Sequence, residues 1–176
     1  MNPAAGPFTI AVVLLALGGA FKAASPGDTA KALRGLGLPG WPLLVRLGGV
    51  LEIAVGVVAL LTGDRVAAAL VMVSYLGFAA FVAVALARGV PIATCGCFGK
   101  ADTPPSVVHL VINLGAAVAA LAVVVDPGVA LDDVVADQPL VGVPYVLLVA
   151  IGVYLAFTAL TRLPRLLVTV RASRSA

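Results

Sequence analysis

The sequence predicts an all-α polytopic membrane protein: a four-helix transmembrane bundle plus a fifth C-terminal transmembrane helix. Three observations carry this expectation. Of the 176 residues, 62% are hydrophobic and only 11% are charged, whereas a soluble domain carries about a quarter charged residues. The apolar residues are gathered into runs close to the roughly 20 residues that a helix needs to cross a hydrocarbon core about 30 Å thick. Breakers such as Ser25-Pro26-Gly27 and Pro39-Gly40-Trp41-Pro42 separate the runs, with no strand alternation and no internal repeat between them. The chain therefore has room for one bundle and for no separate soluble domain. Its net charge of +3 is spread over loops and tail, which argues against nucleic acid as a partner and for the lipid bilayer and its anionic headgroups.

The first span is expected over about Pro7 to Ala24. No lysine or arginine precedes it, so it lacks the basic start of a secretory signal and is taken as a retained span. Lys22 closes it, one turn beyond Gly18 on the same face. After the Ser25-Pro26-Gly27 break, Asp28 is expected to cap a short amphipathic helix, Asp28 to Gly35, at headgroup level, and Trp41 suits an interfacial anchor. The second span, about Leu43 to Thr62, carries Arg46 near its start and Glu52 near its middle. Gly48, Glu52 and Gly56 follow at intervals of four, so Glu52 is expected on a small-residue stripe facing another helix, with Lys22 or Arg46 as its partner.

Gly63-Asp64-Arg65 connects to a third span, about Val66 to Ala87, whose polar members are Ser74 and Tyr75. A polar loop, 91–105, follows. Ser106 is expected to cap a fourth span, about Val107 to Val125, in which His109 and Asn113 share a face continued by Ala116, Ala117 and Ala120. The acidic stretch 126–139 leads to a fifth span, about Leu140 to Leu160, and an arginine-rich tail. The chain thus divides into a four-helix domain over 1–125, the acidic loop 126–139, and the last span with its tail over 140–176.

If all five spans cross, the loop 91–105 shares a side with Lys22, Lys31, Arg34, Arg46, Arg88, Lys100 and the tail residues Arg162, Arg165, Arg171 and Arg174. The other side receives only Arg65. The excess of positive charge predicts a multi-pass protein of the plasma membrane with the N-terminus outside and the C-terminus cytoplasmic. Whatever the absolute orientation, Lys22, Arg46 and His109 fall at the same end as the loop.

That loop holds the two cysteines of the chain, Cys95 and Cys97, separated by Gly96. A disulfide between them closes a small ring near the edge of the usual geometry, and such strain makes a bond easily reduced. Neighbouring cations and the N-terminus of the fourth span favour the reactive thiolate, and His109 is a candidate proton acceptor. Cys95 and Cys97 are therefore the candidate catalytic residues of a thiol–disulfide oxidoreductase, with Lys22, Arg46, Glu52, His109 and Asn113 as supporting residues. Three alternatives stay open. The cysteines are ordinary buried residues, or they form a soft-metal site with His109, or the chain is a non-catalytic membrane subunit that docks or stabilises a redox partner.

A lysine closing the first span, a short helix ending in Leu38-Pro39, a glutamate inside the second span and Cys95-Gly96-Cys97-Phe98-Gly99 before the last bundle helix resemble the MauE/DoxX family of redox-associated membrane proteins. The resemblance runs from about Phe8 to Val125. It implies a four-helix bundle engaged in thiol–disulfide traffic with a thioredoxin-like protein or a small thiol, and a quinone as a candidate electron acceptor. It also implies extracytoplasmic disulfides, opposite to the sidedness that the charges predict. The family pattern places an arginine where this chain has Ile112, and the fifth span and basic tail are additions to it.

Overall fold

The computed structural model describes residues 3–89, 103–127, 139–164 and 166, with the backbone alone at 139–141. Among them are helices α1 (Ala5–Ala24), α2 (Pro26–Gly35), α3 (Pro42–Thr62), α4 (Arg65–Arg88), α5 (Val107–Val125) and α6 (Pro139–Thr161), and no strand. All but α2 are long and apolar enough to cross a membrane. The all-helical, polytopic membrane architecture read from the composition is thus the observed one. The cysteine loop expectation, with Cys95 and Cys97, lies outside the described residues.

The helix ends follow local chemistry. Proline at the first helical position starts both α2 and α3, where its fixed φ suits the helix and its missing N–H is no loss. That choice moves the start of α2 ahead of Asp28, which lies in the first turn as a favourable charge and does not cap the helix. Asp64 caps α4 fully: its Oδ1 accepts from the Val66 and Ala67 amides at 2.7 and 2.9 Å. Helices α3 and α4 both end on left-handed glycines, Gly63 at φ 54° and Gly89 at φ 58°, the conformation that glycine adopts without a Cβ penalty. Ser106 occupies the N-cap position of α5 but makes no side-chain cap bond, because its hydroxyl meets His109 Nδ1 at 2.9 Å.

The packing is pairwise. Helix α1 lies most extensively against α3, and α4 against α5, while α1 also touches α5 and α6. At the α1–α3 crossing a Cβ on Gly49 would sit 2.6 Å from the Gly19 carbonyl oxygen, and one on Gly19 only 2.5 Å from that of Gly49. Two helices that close leave no room for anything but glycine, the small-residue contact by which helices associate in lipid. Gly56 joins this contact against Ala16, but Gly48 does not: a Cβ there would meet nothing within 4 Å. The stripe expected at Gly48, Glu52 and Gly56 is therefore turned by one residue, with Gly49 in place of Gly48.

Below the crossing, Phe8, Val12 and Leu15 of α1 meet Ala68 and Val71 of α4 and Ala120 and Val123 of α5 in the main apolar core. Helix α6 leans on the outer side of α1, with Leu160 and its neighbours against Ile10 and Leu14. Two hydrogen bonds pin it: Thr9 to Tyr145 at 2.7 Å, and Thr103 to the Leu160 carbonyl at 2.9 Å.

Candidate functional site

The close glycine crossing sets the site. Lys22 stands beside Gly49, and Glu52 stands beside Gly19, so the two charged side chains emerge next to each other on facing helices. Lys22 Nζ donates to both Glu52 oxygens at 2.7 Å, and the two side chains are only 7% and 15% exposed. Of the two partners expected for Glu52, the structure selects Lys22. The ammonium also sits 4.1 Å from the centre of the Phe78 ring, a cation–π contact of about 0.5–2 kcal/mol. Tyr75 holds that ring edge-on, with centroids 5.8 Å apart at 83°, and Tyr75 itself donates to the Ala11 carbonyl at 2.6 Å.

The pair forms a wall between two cavities. On one side lies a cleft of about 610 Å³ between α3 and α4, closed at its end by Leu33, Leu36 and Leu38 of the α2 region and reaching Arg88. On the other lies a space of about 30 Å³ reached by Tyr75, His109 and Asn113, enough for one or two waters. Lys22, Glu52 and Phe78 line both. The ion pair is thus bordered by a cavity on each side.

The structure brings together Lys22, Glu52, His109 and Asn113 from three helices. His109 and Asn113 are buried on the inner face of α5, and Ala117 and Ala120 continue that face into the core. Arg46 is not part of this group: it is exposed on α3 and lines neither cavity. Among the described residues no group of three His, Cys, Asp or Glu side chains is placed to hold a metal. Phe78 and Tyr75 belong to the site although the sequence singled out neither for it. Their spacing of three along α4 places them on one helix face, the signal by which Tyr75, already marked as a polar member of its span, leads to Phe78.

The chain leaves the described structure at Gly89 and returns at Thr103. Both anchors belong to the Lys22 end of the bundle. The Arg88 guanidinium beside Gly89 donates to the Leu36 carbonyl at 3.3 Å, and Thr103 is bonded to Leu160, which lines the small cavity with Lys22 and His109.

A family model described as methylamine utilisation protein MauE matches residues 4–126 of the chain. No curated protein and no solved structure matches it.

Proposed function

The chain belongs to the MauE family of methylamine utilisation membrane proteins, and from that premise we propose that it is a membrane-embedded thiol–disulfide oxidoreductase whose redox couple is Cys95 and Cys97. One cysteine thiolate attacks a disulfide sulfur of a thioredoxin-like protein or a small disulfide, forming a mixed disulfide. The second thiolate then displaces the partner's remaining sulfur. The partner leaves as a dithiol, two electrons richer, and the pair is left as a disulfide; the reverse sequence reduces it again.

The observation that carries this reading is the polar cluster of Lys22, Glu52, His109 and Asn113 in the half of the bundle where the chain enters and leaves the cysteine stretch. His109, with its Nδ1 set against the Ser106 hydroxyl three residues earlier, takes up the thiol proton. Waters that fit the small cavity, positioned by Asn113, carry the proton to the Glu52 carboxylate of the Lys22–Glu52 pair. Arg46 and Arg88, exposed at this end, supply the positive potential that favours the thiolate.

Replacing Cys95 or Cys97 singly with serine is expected to abolish exchange with a reduced thioredoxin-like substrate, and unchanged turnover in both variants overturns the proposal. By the excess of basic residues we place the protein in the plasma membrane with the cysteines on the cytoplasmic side. A membrane-impermeant maleimide should then label them only in inside-out vesicles, and labelling in right-side-out vesicles reverses the orientation.

A further inference from the structure

We propose that the cleft between α3 and α4 binds a neutral molecule with a hydrocarbon tail and a hydroxyl head, drawn sideways from the bilayer. Binding there needs nothing of the cysteines. Its volume of about 610 Å³ falls among those of small-molecule sites, roughly 300–1,000 Å³. Its walls are mostly hydrocarbon, from Leu33 and Val45 to Phe81 and Val84, with Thr29 as a polar member beside the charged Lys22, Glu52 and Arg88. Both helices that frame it are candidate membrane spans, and Gly77, Ala80 and Val84 are exposed along its α4 side. Lipid-soluble molecules therefore reach it without passing through water.

The mouth is held open by two glycines. Gly48 on α3 and Gly77 on α4 both line the cleft, and a Cβ on either would meet nothing within 4 Å. Unlike Gly19 and Gly49, these positions are not required by helix contact. What their bareness leaves is space.

The chemistry of the head follows from the inner wall. Lys22 and Glu52 cancel in charge, so an ionic head beside them would be buried without a counter-ion. Each Glu52 oxygen accepts one bond from Lys22, and a carboxylate has lone pairs for more. Glu52 is also the more exposed member of the pair. The wall thus offers an acceptor, which a hydroxyl hydrogen satisfies. At the opposite end Arg88 keeps its charge while donating one bond to the Leu36 carbonyl, so an anionic head bound the other way round is the rival that the competition experiment below must reject.

The test uses the full chain in lipid nanodiscs with dodecanol bearing a photoactivatable diazirine in its tail, and the adducts are mapped by peptide mass spectrometry. Adducts are expected on the α4 stretch around Phe81 and Val84, and they should fall roughly tenfold, the equivalent of one decade in affinity, in Gly48→Leu and in Gly77→Leu. Gly115→Leu, an equally open glycine on α5 outside the cleft, should leave them unchanged. Labelling that is unaffected by the cleft substitutions, or lowered equally by Gly115→Leu, overturns the site. Competition on the unmodified protein tests the head without any variant: unlabelled dodecanol should displace the probe at a lower mole fraction than dodecanoate or dodecylammonium. Equal or better competition by either ion overturns the assignment of a neutral head.

Discussion

Lys22 and Glu52 illustrate how a membrane interior changes the worth of a charge. Each alone would be a buried ion with nothing to offset its lost hydration, whereas together they are neutral and doubly hydrogen-bonded. Removing one partner leaves the other stranded. Lys22→Met and Glu52→Gln are each expected to destabilise the fold by about 3–5 kcal/mol. The double variant should recover most of that loss, because two uncharged side chains of similar volume need no counter-ion. Thermal unfolding of the four proteins in one detergent gives the cycle, and additive losses would mean that the pair is not coupled. The need for a partner was legible in the sequence, since a carboxylate in mid-span demands one. Phe78 was not, because a phenylalanine among apolar residues announces nothing until a cation is found above it.

At the scale of the helix, two adjacent glycines behave oppositely. Gly49→Ala forces a Cβ to within 2.6 Å of backbone on α1 and is expected to cost about 1–3 kcal/mol as the crossing opens. Gly48→Ala meets no atom and should be neutral in the same unfolding assay; equal effects would refute the crossing. Spacing alone does not separate the two. At 3.6 residues per turn, positions 49, 52 and 56 share a face as well as 48, 52 and 56 do, and in lipid the outer face is as apolar as the inner one. The cap of α4 gives a second test. The Thr62 hydroxyl beside Asp64, together with the Ala67 and Val66 amides, holds its carboxyl below the usual aspartate range. An ionised form favoured by the fold adds stability that is complete above the ordinary carboxylate pKa, about pH 4, and disappears as pH falls through the lower folded value. Asp64→Ala should therefore cost about 0.5–2 kcal/mol at pH 7, with a smaller difference from the native protein at pH 3.

For the whole molecule, hydropathy placed the spans because their length is dictated by the bilayer. The same uniform hydropathy hid which faces meet. Helix α6 shows the limit: its residues are almost all apolar, so hydropathy does not tell its docking face, which Leu160 and the bonds of Tyr145 to Thr9 and of Thr103 to Leu160 mark in the structure. It also lies beyond the residues matched by the family, so the remaining helices should stand without it. Deleting residues 139–176 is expected to leave the helicity of α1–α5 intact and to lower stability by at least about 1 kcal/mol, the worth of two interhelical hydrogen bonds in a membrane, with the packing lost against Ile10 and Leu14 adding to it. Circular dichroism and thermal melting check this, and collapse of the shortened chain would show that α6 completes the bundle.

The apolar core of Phe8, Val12, Val71 and Val123 occupies the half of the bundle opposite Lys22, Glu52 and His109, and it contains no charged side chain. It acts as an insulator. An ion entering from the Lys22 end meets hydrocarbon there in place of a charged partner, so that half of the bundle offers no charged side chain through which the voltage across a membrane could drain.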